Sequence, residues 1–383
     1  MQQIIYLDNN ATTACAPEAV EAMVPFFASQ CGNPSSMHQL GRQAHAAVTR
    51  ARETIANELA CDPTELLFTS GATEGNNQIF SSCACCGDKR RKLIVLSIEH
   101  KSVLAPAGRL SDAGFDIHQL RVDRNGIAIL ESLDELLDQN TLLVSVQAAN
   151  NEIGTLQPIR EISDRAHAAG AFIHCDATQL LGKHPIDVNN LGLDFASFSA
   201  HKLHGPKGVG VLFIRQGDPL RFISPLLRGG SQEGSLRAGT LNVTGIVGFA
   251  AACALAGRNF SSDIKRLTEL RDRLEMTLLR SIPETVVNGA PSSRLPGTTN
   301  ITIPGIPADT LIANTPNVCF SGGSACSDGT VSPSHVLLAL GLSREEARCT
   351  VRFGVGRYNT AAEIDSACAQ ILTTIATLNR GPD

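Results

Sequence analysis

Residues 199–210 read Ser-Ala-His-Lys-Leu-His-Gly-Pro-Lys-Gly-Val-Gly and come directly after the apolar run Phe195-Ala196-Ser197-Phe198. A second polar island, Asp176-Ala177-Thr178-Gln179, follows the strand-like run 171–175. Both runs have the length and composition of short buried strands. In an open parallel sheet, ligands bind outside the carboxyl ends of the strands. The two islands therefore predict an α/β fold with a ligand site at that edge of its sheet.

Seven strand-like runs alternate with helical stretches between residues 65 and 214. They are Glu65–Thr69, Lys92–Ile98, Asp116–Val122, Thr141–Gln147, Phe172–Asp176, Phe195–Ser199 and Val209–Ile214. Helical connections such as Ile159–Ala169 indicate βαβ units and a mainly parallel seven-stranded sheet. The short link before Val209 leaves open an antiparallel return of the last strand. Amphipathic helices near Met37–Leu59 and Ile264–Ser281 flank this region.

From about residue 256 the pattern changes to strands with longer irregular links. The predicted elements there are strands at Asn300–Ile303, Val318–Ser321 and Thr350–Val355, then a helix over Ala361–Leu378. A chain of 383 residues is too long for one ordinary hydrophobic core. We therefore expect a large domain over residues 15–255 and a smaller α+β domain built from residues 1–14 and 256–383.

The composition excludes several classes of protein. Hydrophobic residues make up 43% and charged residues 18%, which is typical of a folded globular protein. The net charge of −5 gives no electrostatic reason to expect nucleic acid or an anionic membrane as partner. Neither a signal-peptide pattern nor a long uninterrupted apolar stretch is present. We expect a cytoplasmic protein whose twelve cysteines are reduced thiols.

Lys202 and Asp176 are the pair on which the functional prediction depends. A lysine that forms a Schiff base with an aldehyde cofactor needs an acidic partner, because the pyridine nitrogen of the cofactor must stay protonated to act as an electron sink. A buried carboxylate is also costly unless it meets a cation or several donors. For Asp176 alone, a structural hydrogen bond to backbone amides is an equally good explanation. Together, the two residues favour an enzyme that uses pyridoxal 5'-phosphate (PLP).

Residues 68–75 read Phe-Thr-Ser-Gly-Ala-Thr-Glu-Gly and run from a strand through a glycine turn into a helix start. Backbone N–H groups at such a turn can bind a phosphate, although an ordinary capped βα turn is the more common explanation of this motif alone. Dinucleotide-binding and P-loop motifs are absent from the sequence. His201 and His204 lack the spacing of a metal site, so no metal is predicted.

Cys326 lies in a loop of Gly, Ser and Ala residues at 321–329. A thiol that must move to a substrate sulfur and carry it away needs such a loop, but an incidental free cysteine in a flexible turn remains an alternative. The cluster Cys83-Ala84-Cys85-Cys86 is a second unusual group of thiols. It could hold a metal or accept sulfur, although incidental thiols are the more common explanation.

Taken together, these features resemble the cysteine desulfurases of the NifS/IscS group, within the class V aminotransferase-like PLP enzymes. The motifs that carry the resemblance are Tyr6–Thr13, Gly32–Ser36, Phe68–Glu74, Glu99-His100, Asn150–Gly154, Asp176–Gln179, Ser199–Lys202, Arg237–Thr240, Ser324–Cys326 and Val351–Phe353. Their common order along nearly the whole chain is more specific than any single motif. The resemblance implies fold type I of the PLP-dependent transferases and a homodimer with active sites near the subunit interface.

The resemblance also implies a role for each site residue. Lys202 would bind PLP covalently and then move protons at the substrate α-carbon. Asp176 would pair with the pyridinium nitrogen, and Gln179 would donate to the phenolic oxygen. His100 would stack on the ring and serve in acid–base steps.

Further contacts implied by the resemblance involve the phosphate and the substrate, L-cysteine. The phosphate would be bound by Ala72, Thr73, Ser199, His201 and, from the partner subunit, Thr240. The substrate would be bound by Asn33, Asn151 and Arg352. Asn151 would also contact the cofactor.

Cys326, as a thiolate, would attack the substrate sulfur and leave L-alanine and a persulfide on Cys326. An acceptor protein would then take the sulfur for iron–sulfur cluster assembly or thio-modification. Two alternatives stay open: a PLP-dependent selenocysteine or cysteine/cystine lyase without a protein persulfide, and a non-catalytic sulfur or iron–sulfur scaffold. The chain departs from the family pattern at Ser231 and Gly234, where a His and an Arg are common.

Overall fold

The structure is a computed structural model, which describes residues 4–322 and 333–380. The strands are β1 Ile5–Tyr6, β2 Leu66–Thr69, β3 Lys92–Leu96, β4 Asp116–Leu120, β5 Thr141–Ser145, β6 Phe172–Asp176, β7 Phe195–Ser199, β8 Gly210–Ile214, β9 Val286–Val287, β10 Thr298–Thr302, β11 Val318–Cys319, β12 Ser321–Gly322 and β13 Thr350–Gly354. The helices are α1 Pro17–Phe27, α2 Gln39–Leu59, α3 Ala72–Cys85, α4 Lys101–Arg109, α5 Leu130–Leu136, α6 Ile159–Ala168, α7 Asp218–Phe222, α8 Val243–Ser281, α9 Ala308–Ala313, α10 His335–Ala339, α11 Arg344–Arg348 and α12 Ala361–Arg380.

All seven predicted strands of the first region lie in one sheet, in the order β2-β8-β7-β6-β5-β3-β4. Strands β3 to β7 pair in parallel, which confirms the mainly parallel sheet. The sheet is covered on both faces. Along β3, Leu93 and Val95 pack with α3 and α4, whereas Ile94 and Leu96 pack in the core that contains α2 and α6. Burial on both faces explains why β3 and β8 are nearly continuous apolar runs.

Strand β8 runs antiparallel to both of its neighbours, β7 and β2. The antiparallel return that the short link before Val209 left open therefore occurs. Gly210 pairs with Thr69 of β2 on one side and with Ser199 of β7 on the other. As a result, the carboxyl ends of β2, β6 and β7 lie at the same edge of the sheet.

A second, four-stranded sheet has the order β12-β13-β10-β9, and β1 pairs in parallel with β11 beside it. Its core contains Ile5, Ile301 and Phe353 together with apolar residues of α12 and the second half of α8. The predicted strands and helix of this region are thus present with different ends, and the strand predicted at 318–321 is divided between β11 and β12.

Helix α8 is much longer than predicted, because it begins at Val243 rather than Ile264. Its first half is rich in small residues that allow close packing: Gly248 lies against Met23 of α1, and Gly257 lies against Glu58 of α2. This half packs in the core of the large sheet and the second half packs in the other core. The predicted domain boundary at 255/256 falls inside this continuous helix and stays a prediction.

Among the described residues, α8 is also the one helix long and apolar enough to cross a membrane by length and composition. Half of its most apolar stretch is buried, and the helix packs against α1 and α2.

Candidate active site

A cavity of about 1410 Å³ opens at the sheet edge where β2, β6 and β7 end. The predicted site residues that line it are Ala72, Thr73, His100, Asn151, Asp176, Gln179, Ser199, His201, Lys202 and Arg352. Asn33 and Thr240 are exposed and do not line this cavity. Cys326 lies outside the described residues.

Lys202 ends a short helical turn, Ala200–Lys202, that directly follows β7. Its Nζ donates hydrogen bonds to the carbonyl oxygens of Asn10 and Ala11, at 2.6 Å and 2.7 Å. Burial lowers the pKa of Lys202 from 10.5 to about 8, and the positive charge of Arg352 acts in the same direction. A substantial fraction of this amine is therefore neutral near physiological pH, which is the nucleophilic form.

Asp176 is the last residue of β6 and is only 7% exposed. Its Oδ2 accepts a hydrogen bond from Asn76 Nδ2 at 2.8 Å, and its Oδ1 accepts one from the backbone N–H of Thr178 at 3.1 Å. These donors hold the carboxylate in place at the cavity wall.

The turn before α3 has the features of an anion-binding site. Gly71 is the N-cap of the helix and supplies no capping side chain, and Gly71, Ala72 and Thr73 line the cavity. Uncapped N–H groups at a helix start can bind an anion. The turn lies close to the neighbouring strands: a Cβ on Gly210 would collide with the Phe198 carbonyl and with Gly71 Cα. Only glycine at position 210 allows this approach.

His100 is the N-cap of α4 and is held by Ser102. Its Nδ1 lies 2.8 Å from Ser102 Oγ and accepts the backbone N–H of Ser102 at 3.1 Å. Burial lowers the pKa of His100, so the neutral imidazole is favoured.

Two further predicted residues are held by the N-terminal segment. Gln179 donates from Nε2 to the Asn10 carbonyl at 3.0 Å and accepts from Lys183 Nζ at 2.8 Å. His201 Nδ1 lies 3.1 Å from Thr12 Oγ1. Burial and the neighbouring Lys202 lower the pKa of His201 to about 4, so its imidazole is neutral.

Arg352 reaches the cavity from β13 of the second sheet and is 8% exposed. Its Nη2 lies 2.6 Å from Asp8 Oδ1 and 3.2 Å from Ser321 Oγ, and its Nη1 donates to the Asn151 carbonyl at 3.2 Å. The Nε is buried without a partner among the described residues. Asp8, Ser321 and the Asn151 carbonyl therefore hold the guanidinium in place at the cavity wall.

The chain matches the family model described as aminotransferase class-V over residues 5–366. It belongs to that family. It is 44% identical over 364 residues to a cysteine desulfurase of Trichormus azollae, a match that covers 94% of this chain and 90% of that protein. It is 40% identical over 378 residues to a cysteine desulfurase IscS of Rickettsia akari (strain Hartford), covering 98% and 92%. A solved structure described as a NifS-like protein aligns with a TM-score of 0.92 at 37% identity, covering 98% of this chain and 100% of that one.

These findings confirm the resemblance to the NifS/IscS group and the predicted fold class. They also explain why so many short motifs recur in one order along this member of the class-V aminotransferase family.

The sequence alone did not indicate a role for several residues of this family member's site. Asn10 lies within the motif Tyr6–Thr13, and its carbonyl accepts hydrogen bonds from both Lys202 and Gln179. Asp8 lay in the same motif and pairs with Arg352. Asn76 had no signal, because an Asn in the middle of a helix is usually a surface residue.

No role was predicted from the sequence for two glutamates near the site, Glu99 and Glu152, although both lie within motifs of the family resemblance. Glu99 is fully buried, and neither of its carboxyl oxygens has a hydrogen-bond partner among the described residues. Burial, together with the charge of Asp176, raises the pKa of Glu99 well above its usual range. Glu152 lines the cavity and accepts from Ser334 Oγ at 2.6 Å, and burial raises its pKa to about 7.

The cysteine cluster does not form a metal site in the part of the chain that the structure describes. Cys83 is buried, Cys85 is exposed, and Cys86 is half-buried. Across residues 4–322 and 333–380, no group of three or more His, Cys, Asp or Glu side chains could hold a metal ion. All eleven described cysteines are free thiols.

Proposed function

We propose that this protein is a PLP-dependent cysteine desulfurase. The proposal rests on one observation: the Lys202 amine and the Asp176 carboxylate line one cavity with the open helix start at Ala72 and the guanidinium of Arg352. The relatives named cysteine desulfurase, at 40% and 44% identity over nearly the whole chain, support the same activity.

The donor set of the cavity fits PLP. The amine of Lys202 suits the aldehyde, the carboxylate of Asp176 suits a pyridinium nitrogen, and the turn before α3 suits the phosphate. Ser199 and His201 lie at the same edge as that turn and would complete the phosphate contacts. Gln179 and Asn151 would contact the ring substituents, and His100 would lie against the ring.

When bound, PLP supplies an electron sink for the α-carbon of the substrate. Lys202, with its lowered pKa, would hold and move the proton at that carbon. Arg352 would orient the carboxylate of L-cysteine, for which a planar guanidinium is suited. Neutral His100 would act as the second acid–base group.

The sulfur leaves as part of a balanced exchange. The Cys326 thiolate forms a bond to the sulfur of L-cysteine, and the bond between that sulfur and the substrate β-carbon breaks. The β-carbon keeps the electron pair and gains a proton. The products are L-alanine and a persulfide on Cys326, so no external oxidant or reductant is needed.

We further infer that the enzyme is a cytoplasmic homodimer that passes its sulfur to an acceptor protein. Thr240 is exposed and lies outside the cavity of its own chain, which suits a residue that serves a partner's site. Helix α1 also exposes Val20, Val24 and Phe27 at helical spacing, with Phe27 70% exposed. An apolar helix face of this kind is typical of an interface.

Radiolabelled sulfur tests the proposed activity. Wild-type protein loaded with PLP and incubated with L-cysteine labelled at sulfur should yield L-alanine and a label on the Cys326 peptide that dithiothreitol removes. Cys326→Ala should keep the near-visible absorbance of the bound cofactor and carry no label. Cys85→Ser, which alters an exposed thiol, is the matched control and should label normally.

Other outcomes would overturn the proposal. Release of sulfide at the normal rate from Cys326→Ala would indicate a lyase, and a wild-type protein that forms no alanine would indicate a scaffold. Borohydride reduction followed by peptide mapping should place the pyridoxyl group on Lys202. A label on Lys207, which also lines the cavity, would contradict that assignment.

A further inference from the structure

A chain of hydrogen bonds connects Asp176 to His100 through two residues that have no role in the proposed reaction. Asn76 Nδ2 donates to Asp176 Oδ2 at 2.8 Å and to Ser102 Oγ at 2.9 Å. Ser102 Oγ lies 2.8 Å from His100 Nδ1. Asn76 is fully buried and Ser102 is 8% exposed, so water does not replace these contacts.

The chemistry of each group determines the direction of these hydrogen bonds. An ionised carboxylate only accepts, so Asp176 requires the amide nitrogen of Asn76 rather than its oxygen. Both hydrogens of that nitrogen are then used, one on Asp176 and one on Ser102 Oγ. The Ser102 oxygen accepts from Asn76, which leaves its own hydrogen to donate to His100 Nδ1.

The backbone of α4 acts in the same direction. The N–H of Ser102 also points at His100 Nδ1, at 3.1 Å. A backbone N–H can only donate, so this contact adds to the preference for an unprotonated Nδ1 that the Ser102 hydroxyl sets. The proton of neutral His100 is therefore on Nε2, the nitrogen that is not engaged by Ser102.

We propose that Asn76 and Ser102 are positioning residues that make His100 a proton donor: the ionised Asp176 orients Asn76, Asn76 orients the Ser102 hydroxyl, and that hydroxyl holds His100 in its Nε2–H tautomer. His100 then presents an N–H to the cavity. Asp176 also lines the cavity, where its carboxylate can still accept a hydrogen bond from a cationic ligand. The catalytic use of this proton rests on the proposed function, but the chain of hydrogen bonds from Asp176 to His100 does not.

Burial supports a ring that stays neutral. It lowers the pKa of His100, and the groups whose charges act on the ring are Asp176, Lys202, His335 and Lys101. Of these, only Asp176 favours the charged imidazole. The unused carbonyl oxygen of Asn76 is buried without a partner among the described residues, which indicates that the amide is oriented for its two donor contacts.

Heteronuclear NMR of the full chain, labelled on histidine nitrogens, reads the tautomer directly. The wild-type protein should show His100 protonated at Nε2 alone, with or without PLP. In Asn76→Leu the Ser102 hydroxyl is free to accept, so the Nδ1–H tautomer should gain about fivefold, the equivalent of one hydrogen bond of about 1 kcal/mol. Ser102→Ala should shift the same equilibrium, and Ser102→Thr, which keeps the hydroxyl, should restore it.

Asn77→Leu is the matched control, because Asn77 is the next residue of α3 and its side-chain amide donates to the Thr73 carbonyl. It should leave the His100 signals unchanged. Protonation of His100 at Nδ1 in the wild type would overturn the proposal. Unchanged His100 signals in both Asn76→Leu and Ser102→Ala would also overturn it. A wild-type protein that has the expected tautomer but no desulfurase activity would count only against the proposed function.

Discussion

Glu74 and Arg237 form a largely buried ion pair, with Arg237 Nε 2.9 Å from Glu74 Oε1. The same carboxylate accepts the backbone N–H of Ser70 at 2.7 Å. Ser70 lies in the turn before α3, and Arg237 lies three residues before Thr240. The ion pair thus connects the proposed phosphate-binding turn to the segment that we propose serves the partner subunit.

Breaking this ion pair should destabilise the fold. Arg237→Ala leaves the Glu74 carboxylate, whose side chain is 8% exposed, without its counter-ion. We expect a loss of about 2–3 kcal/mol in the free energy of unfolding, below the full value for a buried pair because the arginine is partly solvated. Urea unfolding measures it. Arg273→Ala breaks an exposed pair with Asp365 and should change little; an equal effect of both variants would contradict the prediction.

The contribution of Glu74 should also depend on pH. Burial alone would raise the pKa of Glu74, but hydrogen bonds from Arg237 and Ser70 hold it below the ordinary value of 4.5. A carboxyl whose pKa is lower in the folded state stabilises that state above its unfolded pKa and loses the effect as pH falls through the folded value. The stability difference between wild type and Glu74→Gln should therefore shrink as pH falls below 4.5. A difference that stays constant over that range would refute this explanation.

The reaction of Lys202 with PLP should follow the ionisation of its amine. Because the neutral form is the nucleophile, the rate of cofactor uptake should rise with pH and level off above about 8. Arg352→Gln removes a positive charge that lowers this pKa, so the inflection should move to higher pH. Stopped-flow absorbance measures both rates. An inflection that stays in place in Arg352→Gln would show that the two charges do not interact.

Arg352 should determine substrate affinity through its fixed orientation. Arg352→Lys loses the planar pair of donors, and we expect KM for L-cysteine to rise about 10- to 100-fold. Asp8→Asn keeps the size of the residue that holds Nη2 but removes its charge, so a smaller rise in KM is expected. Steady-state kinetics separates KM from kcat. A fall in kcat without a change in KM would show that Arg352 does not bind the substrate carboxylate.

Gly210 should tolerate no side chain. A methyl group there would collide with backbone atoms of Phe198 and Gly71, which cannot move independently of the sheet. Gly210→Ala should lower stability by about 2 kcal/mol or more and weaken PLP binding, since the turn before α3 is displaced. Gly108→Ala, in α4 with no atom near the new methyl, should be neutral or slightly stabilising. Thermal unfolding with cofactor titration compares the two.

Much of the fold could be predicted from local pattern. Strands β6 and β7 match their predicted bounds, because both are covered on two faces and consist mainly of apolar and small residues. By contrast, the strand predicted at 92–98 ends at Leu96, since Ile98 turns away to give its carbonyl to Gln147 and Asn150. The first half of α8 was missed, because its apolar and small residues show no single face when the helix is packed on several sides.

The sequence by itself determined the seven strands, the chemical types of the site residues and the order of motifs that marks the family. The strands and the residue types depend on residues that are close together along the chain, and the order of motifs is a property of the chain itself. Only the tertiary structure decided that the Asn10 carbonyl meets Lys202, that Asp8 holds Arg352, and that Asn76 links Asp176 to His100. These contacts join residues that are distant in sequence, and they depend on strand register and helix packing, which no local pattern records.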